Sequence, residues 1–161
     1  MDRALTEHAA LTRAFGQFAT GVVMVVAETG EGERAMACAR AFNSVSLDPP
    51  LLLWSLPIAV GRSAPFSMAS RFTVHVLGEA QENLIDMANA GAVSPPPALG
   101  DGPVLDDCCA WFMCDAVEML EQGDHAIFIA RITRCGSSEC PPLVQCGGEY
   151  VSACSTPALV A

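Results

Sequence analysis

Residues 108–134 read CCAWFMCDAVEMLEQGDHAIFIARITR, two runs of strand-forming residues on either side of Gln122-Gly123-Asp124. Glycine supplies the backbone freedom of a tight turn, and aspartate is a usual turn residue. The pattern therefore predicts an antiparallel pair, 108–119 and 125–134. Asp124 is accounted for by the turn alone. His125 opens the second strand, and in extended chain Ile127 and Ile129 share its side. Its ring is expected to start a row leading towards the core. A histidine there is either a satisfied structural group or a functional one, and the pattern leaves both open.

Working outward from this pair, more short strands emerge. TGVVMVVA (20–27) is β-branched, ETGEGER (28–34) is a turn, and residues 35–42 return as a second strand. LLLWSL (51–56) follows Pro49 and Pro50, and RFTVHVL (71–77) alternates. A last strand is expected at 143–146, before Gly147 and Gly148. Helical spacing appears at 4–17, at 62–70 and from Glu79 to Ala90. SPPPALGDGP (94–103) is a loop by composition. Strands and helices do not alternate as a doubly wound fold requires. The expected class is mainly β: an antiparallel β-barrel with helices at its margins.

The bulk composition narrows the function. The 161 residues suit one domain, and 52% hydrophobic content with 16% charged content supports a sizeable core. A formal net charge of −10 makes nucleic acid a poor partner, because such binding neutralises phosphates with Lys and Arg, here only eight. The most apolar run, Leu51 to Val60, is too short to span a bilayer and is broken by Pro57. No membrane association and a cytoplasmic location are expected. The eight cysteines contain no CxxC pair, so no metal site is predicted and disulfides are not expected.

Several chemical motifs fail on context. GEGERA (30–35) matches a dinucleotide glycine pattern but lies in a hairpin, with no helix opening after it. There is no P-loop and no G-x-S-x-G elbow. Ser44 and Ser46 flank Val45, and extended chain would project both hydroxyls to one side. They form either a phosphate cradle or a solvated strand-end turn. Arg62 and Ser63, near a helix start, add a cation and a hydroxyl that suit phosphate.

Six blocks carry a family resemblance: FGQFATGVVMVVA (15–27), SVSLDPPLLLWSL (44–56), RFTVHVLGEAQ (71–81), GPVLDDCCAWFMC (102–114), GDHAIFIARI (123–132) and PPLVQCGGEY (141–150). In this order and spacing the chain resembles the short flavin reductases of two-component monooxygenases, over about residues 12–152. The resemblance implies an FMN-binding split β-barrel, Greek-key-like, over residues 1–152, with 153–161 as a tail. It implies an NAD(P)H-dependent enzyme that reduces FMN or FAD, using NADH or NADPH, and supplies a partner monooxygenase. It also implies a homodimer. Flavin contacts would fall on Arg40, Ala41, Asn43, Ser44, Val45, Ser46, Ser55, Arg62, Ser63, His75 and Tyr150. His125 would lie by the nicotinamide. Arg40 stands where a short hydrogen-bonding side chain is common, His75 where Asn is frequent, and Cys146 where a polar or aromatic residue is usual. A second reading is a flavin- or metabolite-binding relative without free-flavin turnover, acting on a bound biosynthetic substrate.

Overall fold

The computed structural model describes residues 8–28, 34–59, 63–89 and 104–153. Helix α1 (His8–Gly16) precedes β1 (Thr20–Gly21), β2 (Val23–Glu28), β3 (Arg34–Ala39), β4 (Phe42–Leu47) and β5 (Pro50–Pro57). Then follow α2 (Ala64–Ser67), β6 (Arg71–Val76), a single 3-10 turn (Glu79–Gln81) and α3 (Asn83–Asn89). The chain closes with β7 (Ala110–Gln122), β8 (His125–Ser137), β9 (Leu143–Cys146) and β10 (Glu149–Ser152).

Seven strands form one antiparallel sheet in the order β3-β2-β6-β7-β8-β5-β4, and β1-β9-β10 form a small second one. The two edge strands of the large sheet, β3 and β4, are joined by Arg40 and Ala41 alone. Two residues reach only about 7 Å. The sheet must therefore curl until its edges meet, although no ladder joins them. This is a barrel with one seam left open, a split barrel.

The interior is filled from alternate positions of the strands, including Val23 and Val25 of β2, Trp54 of β5, Val74 of β6 and Phe128 of β8. Trp54 is fully buried. It stacks on Phe128 with ring centroids 4.2 Å apart and meets Phe66 and Phe72 edge-on at 5.2 and 5.3 Å. Truncating such an aromatic costs about 3–5 kcal/mol. A second cluster lies outside the barrel, where Met24 and Val26 of β2 pack with Leu84 and Ile85 of α3 and with Leu105. β2 is thus buried on both faces, which is why VVMVVA shows no polar alternation.

The structure corrects several expectations. The strand expected at 35–42 is two strands, because the chain turns at Arg40-Ala41 to pass between sheet edges. The helix expected from Glu79 to Ala90 is a 3-10 turn followed by α3. β10 extends the chain's last hairpin beyond Gly147 and Gly148, both at positive φ. Disulfides were not expected, yet Cys109 and Cys140 are paired, with Cα atoms 5.2 Å apart. The ladder causes this proximity: Ser138 N–H donates to the Cys109 carbonyl at 2.8 Å, which folds the segment after β8 onto the start of β7. The turn at 29–33, the loop at 94–103, Arg62 and the segment 154–161 lie outside the described residues.

Candidate functional site

Directly opposed residues of an antiparallel ladder share a face of the sheet. Across β4, β5 and β8 the registers pair Asn43 with Leu53 and Leu53 with Ile129, Ser46 with Leu51, Ser55 with Ile127, and Pro57 with His125. Asn43, Ser46, Ser55 and His125 therefore share one face, opposite to Trp54. Leu53, Ser55, His125, Ile127 and Ile129 are all half-buried. The result is a flat apolar floor carrying a few hydroxyl, amide and imidazole groups. The row that starts at His125 runs along this floor; the core row of β8 is Ala126, Phe128 and Ala130. The expectation that the ring leads towards the core is thereby corrected.

The two serines do not project together. β4 carries a bulge between Ser44 and Ser46, with Ser44 opposite Leu52 and Ser46 opposite Leu51. Val45 is the extra residue, so the alternation slips and the two hydroxyls lie on opposite faces. Ser46 Oγ accepts the Asp48 N–H at 3.2 Å, closing a local turn. Val45 is exposed beside it.

The seam supplies a second group of residues. Arg40 donates to Gln145 Oε1 at 2.5 Å, and Gln145 stands opposite both Thr20 and Tyr150 in the small sheet. Burial pushes the Cys38 thiol up to about 11, against the opposing pull of the Arg40 charge. Cys38 is thus a neutral thiol at neutral pH. Burial also raises the Tyr150 hydroxyl, and Cys38 and Arg40 both act on it electrostatically. Ser55 N–H donates to the Ala41 carbonyl at 3.1 Å, tying this corner to the floor. Gln145 was not anticipated from the sequence. The signal was available in Gly147-Gly148, a two-residue hairpin turn that places Tyr150 across from it.

Two anticipated residues stand apart. His75 is fully buried, with Nδ1 3.1 Å from the Met24 carbonyl, so it belongs to the packing outside β2 and not to the floor. Ser63 is buried ahead of α2, its carbonyl accepting the Ser67 hydroxyl at 3.0 Å. A cavity of about 140 Å³ is lined by Phe66, Phe72, Met119, Phe128 and the floor residue Ile129, but not by His125 or Ser55. Among the described residues no cluster of His, Cys, Asp and Glu could hold a metal ion.

His125 has a close neighbour. Its Nδ1 lies 2.6 Å from Asp124 Oδ1, with the carboxylate 88% and the imidazole 43% exposed. That hydrogen bond, followed by the histidine's charge, holds the Asp124 carboxyl below its usual range.

Comparison with known proteins bears on this site. The flavin reductase like domain model matches residues 15–153. A probable flavin reductase of Rhizobium meliloti is 39% identical over 150 residues, covering 88% of this chain and 47% of that protein. The chain thus spans about half the length of that relative. The NADH-dependent flavin reductase StyB of Pseudomonas fluorescens is 36% identical over 133 residues, covering 79% of this chain and 77% of StyB. Among solved structures, the Streptomyces globisporus NADH:FAD oxidoreductase SgcE6, in complex with NAD and FAD fragments, superposes with a TM-score of 0.81. It is 27% identical, and the match covers 90% of this chain and 92% of that one.

Proposed function

Because the chain belongs to the flavin reductase like domain family, we propose that it is an NAD(P)H-dependent flavin reductase that supplies reduced FMN or FAD to a partner monooxygenase. The observation that carries this reading is the floor across β4, β5 and β8. A planar tricyclic ring needs an apolar surface to lie on and a few hydrogen-bonding groups at its rim. Leu53, Ile127 and Ile129 offer the first, and Asn43, Ser46 and Ser55 the second. The donor set therefore fits a flavin.

When both cofactors are bound, the chemistry is hydride transfer from reduced nicotinamide to flavin, and it belongs to the cofactors themselves. The chain's task is to bind, orient and exclude water. Arg40, Ala41 and Tyr150 would hold the flavin from the seam side, with Arg40 kept in place by Gln145. Val45 and Ser46 would meet its phosphate-bearing chain at the β4 bulge, while Ser44 lies in register with the opposite face. Arg62 keeps the phosphate role the sequence suggests, whereas Ser63, buried ahead of α2, is left out of it. His125 would serve the nicotinamide from the open end of β8.

The whole of residues 1–152 is taken as one such domain, with 153–161 as a tail. No described helix is long and apolar enough to cross a membrane, and a cytoplasmic location is part of the reading. So is a homodimer. Among the described residues, the second half of β7 has β8 on one side and no strand on the other, and Val117, Met119 and Leu120 are exposed along it. The whole reading is tested by oxidation of NADH and NADPH with FMN and FAD added in turn. Turnover with at least one pair is expected; failure with every pair would overturn it.

A further inference from the structure

We infer that Asp124 is the positioning residue of His125, fixing which ring nitrogen carries the proton and which one faces the reduced nicotinamide. This rests on the flavin reductase reading of the same site. The 2.6 Å contact runs from Nδ1 to Oδ1. Successive side chains of a strand point to opposite faces, so neighbours seldom meet in this way. Here Asp124 lies in the turn, after Gly123 at φ +62, and its carboxylate can fold onto the ring that opens the strand. The turn is itself anchored, because Ile58 N–H donates to the Asp124 carbonyl at 2.8 Å.

An ionised carboxylate can only accept. Asp124 is ionised at neutral pH, since the histidine holds its carboxyl below the usual range, with a smaller contribution from His8 on α1. The proton between the two groups is therefore on Nδ1, and Nε2 is left pointing away from the carboxylate. A folded-state value that is lowered means the contact persists through the neutral range and is released only as pH falls through that value in acid. Exposed pairs of this kind add little to stability. A large effect of Asp124 on the ring, with almost none on folding, is the signature that separates positioning from a merely structural turn.

The test is Asp124→Asn, which keeps a turn-forming side chain but can also donate to Nδ1 and so accommodate the other tautomer. In protein labelled with ¹⁵N-histidine and free of cofactor, the neutral His125 ring, assigned with His125→Gln, should be an Nδ1–H tautomer in the wild type. In Asp124→Asn it should shift towards Nε2–H. Catalytic efficiency for the reduced nicotinamide should fall about tenfold, with flavin affinity and thermal midpoint unchanged, and Asp124→Glu should recover part of the loss. A ring whose tautomer ignores Asp124→Asn overturns the inference whatever the turnover. So does a switched tautomer with undiminished efficiency. Wild-type protein without turnover for any flavin overturns the reductase reading instead, and the ring spectrum still judges Asp124.

Discussion

Trp111 and Gly136 face each other across the β7–β8 ladder, and only glycine leaves room for the indole. A Cβ at position 136 would sit 2.8 Å from three ring atoms of Trp111. Gly136→Ala should destabilise the protein by about 1–3 kcal/mol, the usual cost of overpacking. A chemical-denaturation midpoint checks it, and an unchanged midpoint would mean the indole moves aside freely. His125→Ala should behave in the opposite way. The ring is 43% exposed, so folding and flavin affinity should survive, while efficiency for NAD(P)H falls about tenfold, or about 1.4 kcal/mol. Steady-state kinetics at saturating flavin checks it, and wild-type efficiency would make the ring structural. At this scale the sequence was informative about residue type more than about orientation. GDH announced a turn and a strand start, but nothing in it showed that Asp124 folds onto its neighbour. His75 read as a site residue only through the family resemblance, where Asn is frequent at its place. Its burial depends on α3 and Leu105 covering the outer face of β2 and β6, which no local pattern encodes.

The β4 bulge changes what two serines can do. Ser46 shares the floor with Asn43, Ser55 and His125, whereas Ser44 lies in register with the core-facing Leu52. Ser46→Ala should therefore weaken flavin binding more than Ser44→Ala does. Removing one hydrogen bond to a charged phosphate costs about 1.5–3 kcal/mol, so the Ser46 variant should bind roughly tenfold or more weakly. Fluorescence titration of FMN and FAD against both variants checks it, and equal losses would place both hydroxyls on the ligand. Most strands were legible, but β4 was merged with β3 and β10 was not expected. β5 was marked by its prolines, β6 by alternation, and β7 with β8 by the turn between them. The bulge was not, because one extra residue leaves composition unchanged and shows only against the partner strand. β2 read correctly as a strand, but its burial on both faces emerges only once α3 is seen to lie over it.

For the whole molecule, the second half of β7, with no strand opposite β8 among the described residues, is where the proposed homodimer would pair. Edge strands of soluble proteins are usually short, charged or covered. This one carries Val117, Met119 and Leu120 exposed along it, α1 has no buried residue, and Phe15 of α1 and Phe18 just after it are exposed. The wild type should sediment as a dimer at micromolar concentration, and Val117→Lys with Met119→Lys should shift it towards monomer. A variant that stays fully dimeric would move the contact elsewhere. The open seam has a different consequence. Arg40 and Ala41 close the barrel by covalent connection, with no ladder between β3 and β4. The lips on either side can part or approach without breaking a single cross-strand hydrogen bond, while the aromatic stack around Trp54 stays packed. The rim beside the floor is thus the part of the barrel where no β3–β4 ladder resists a change of aperture.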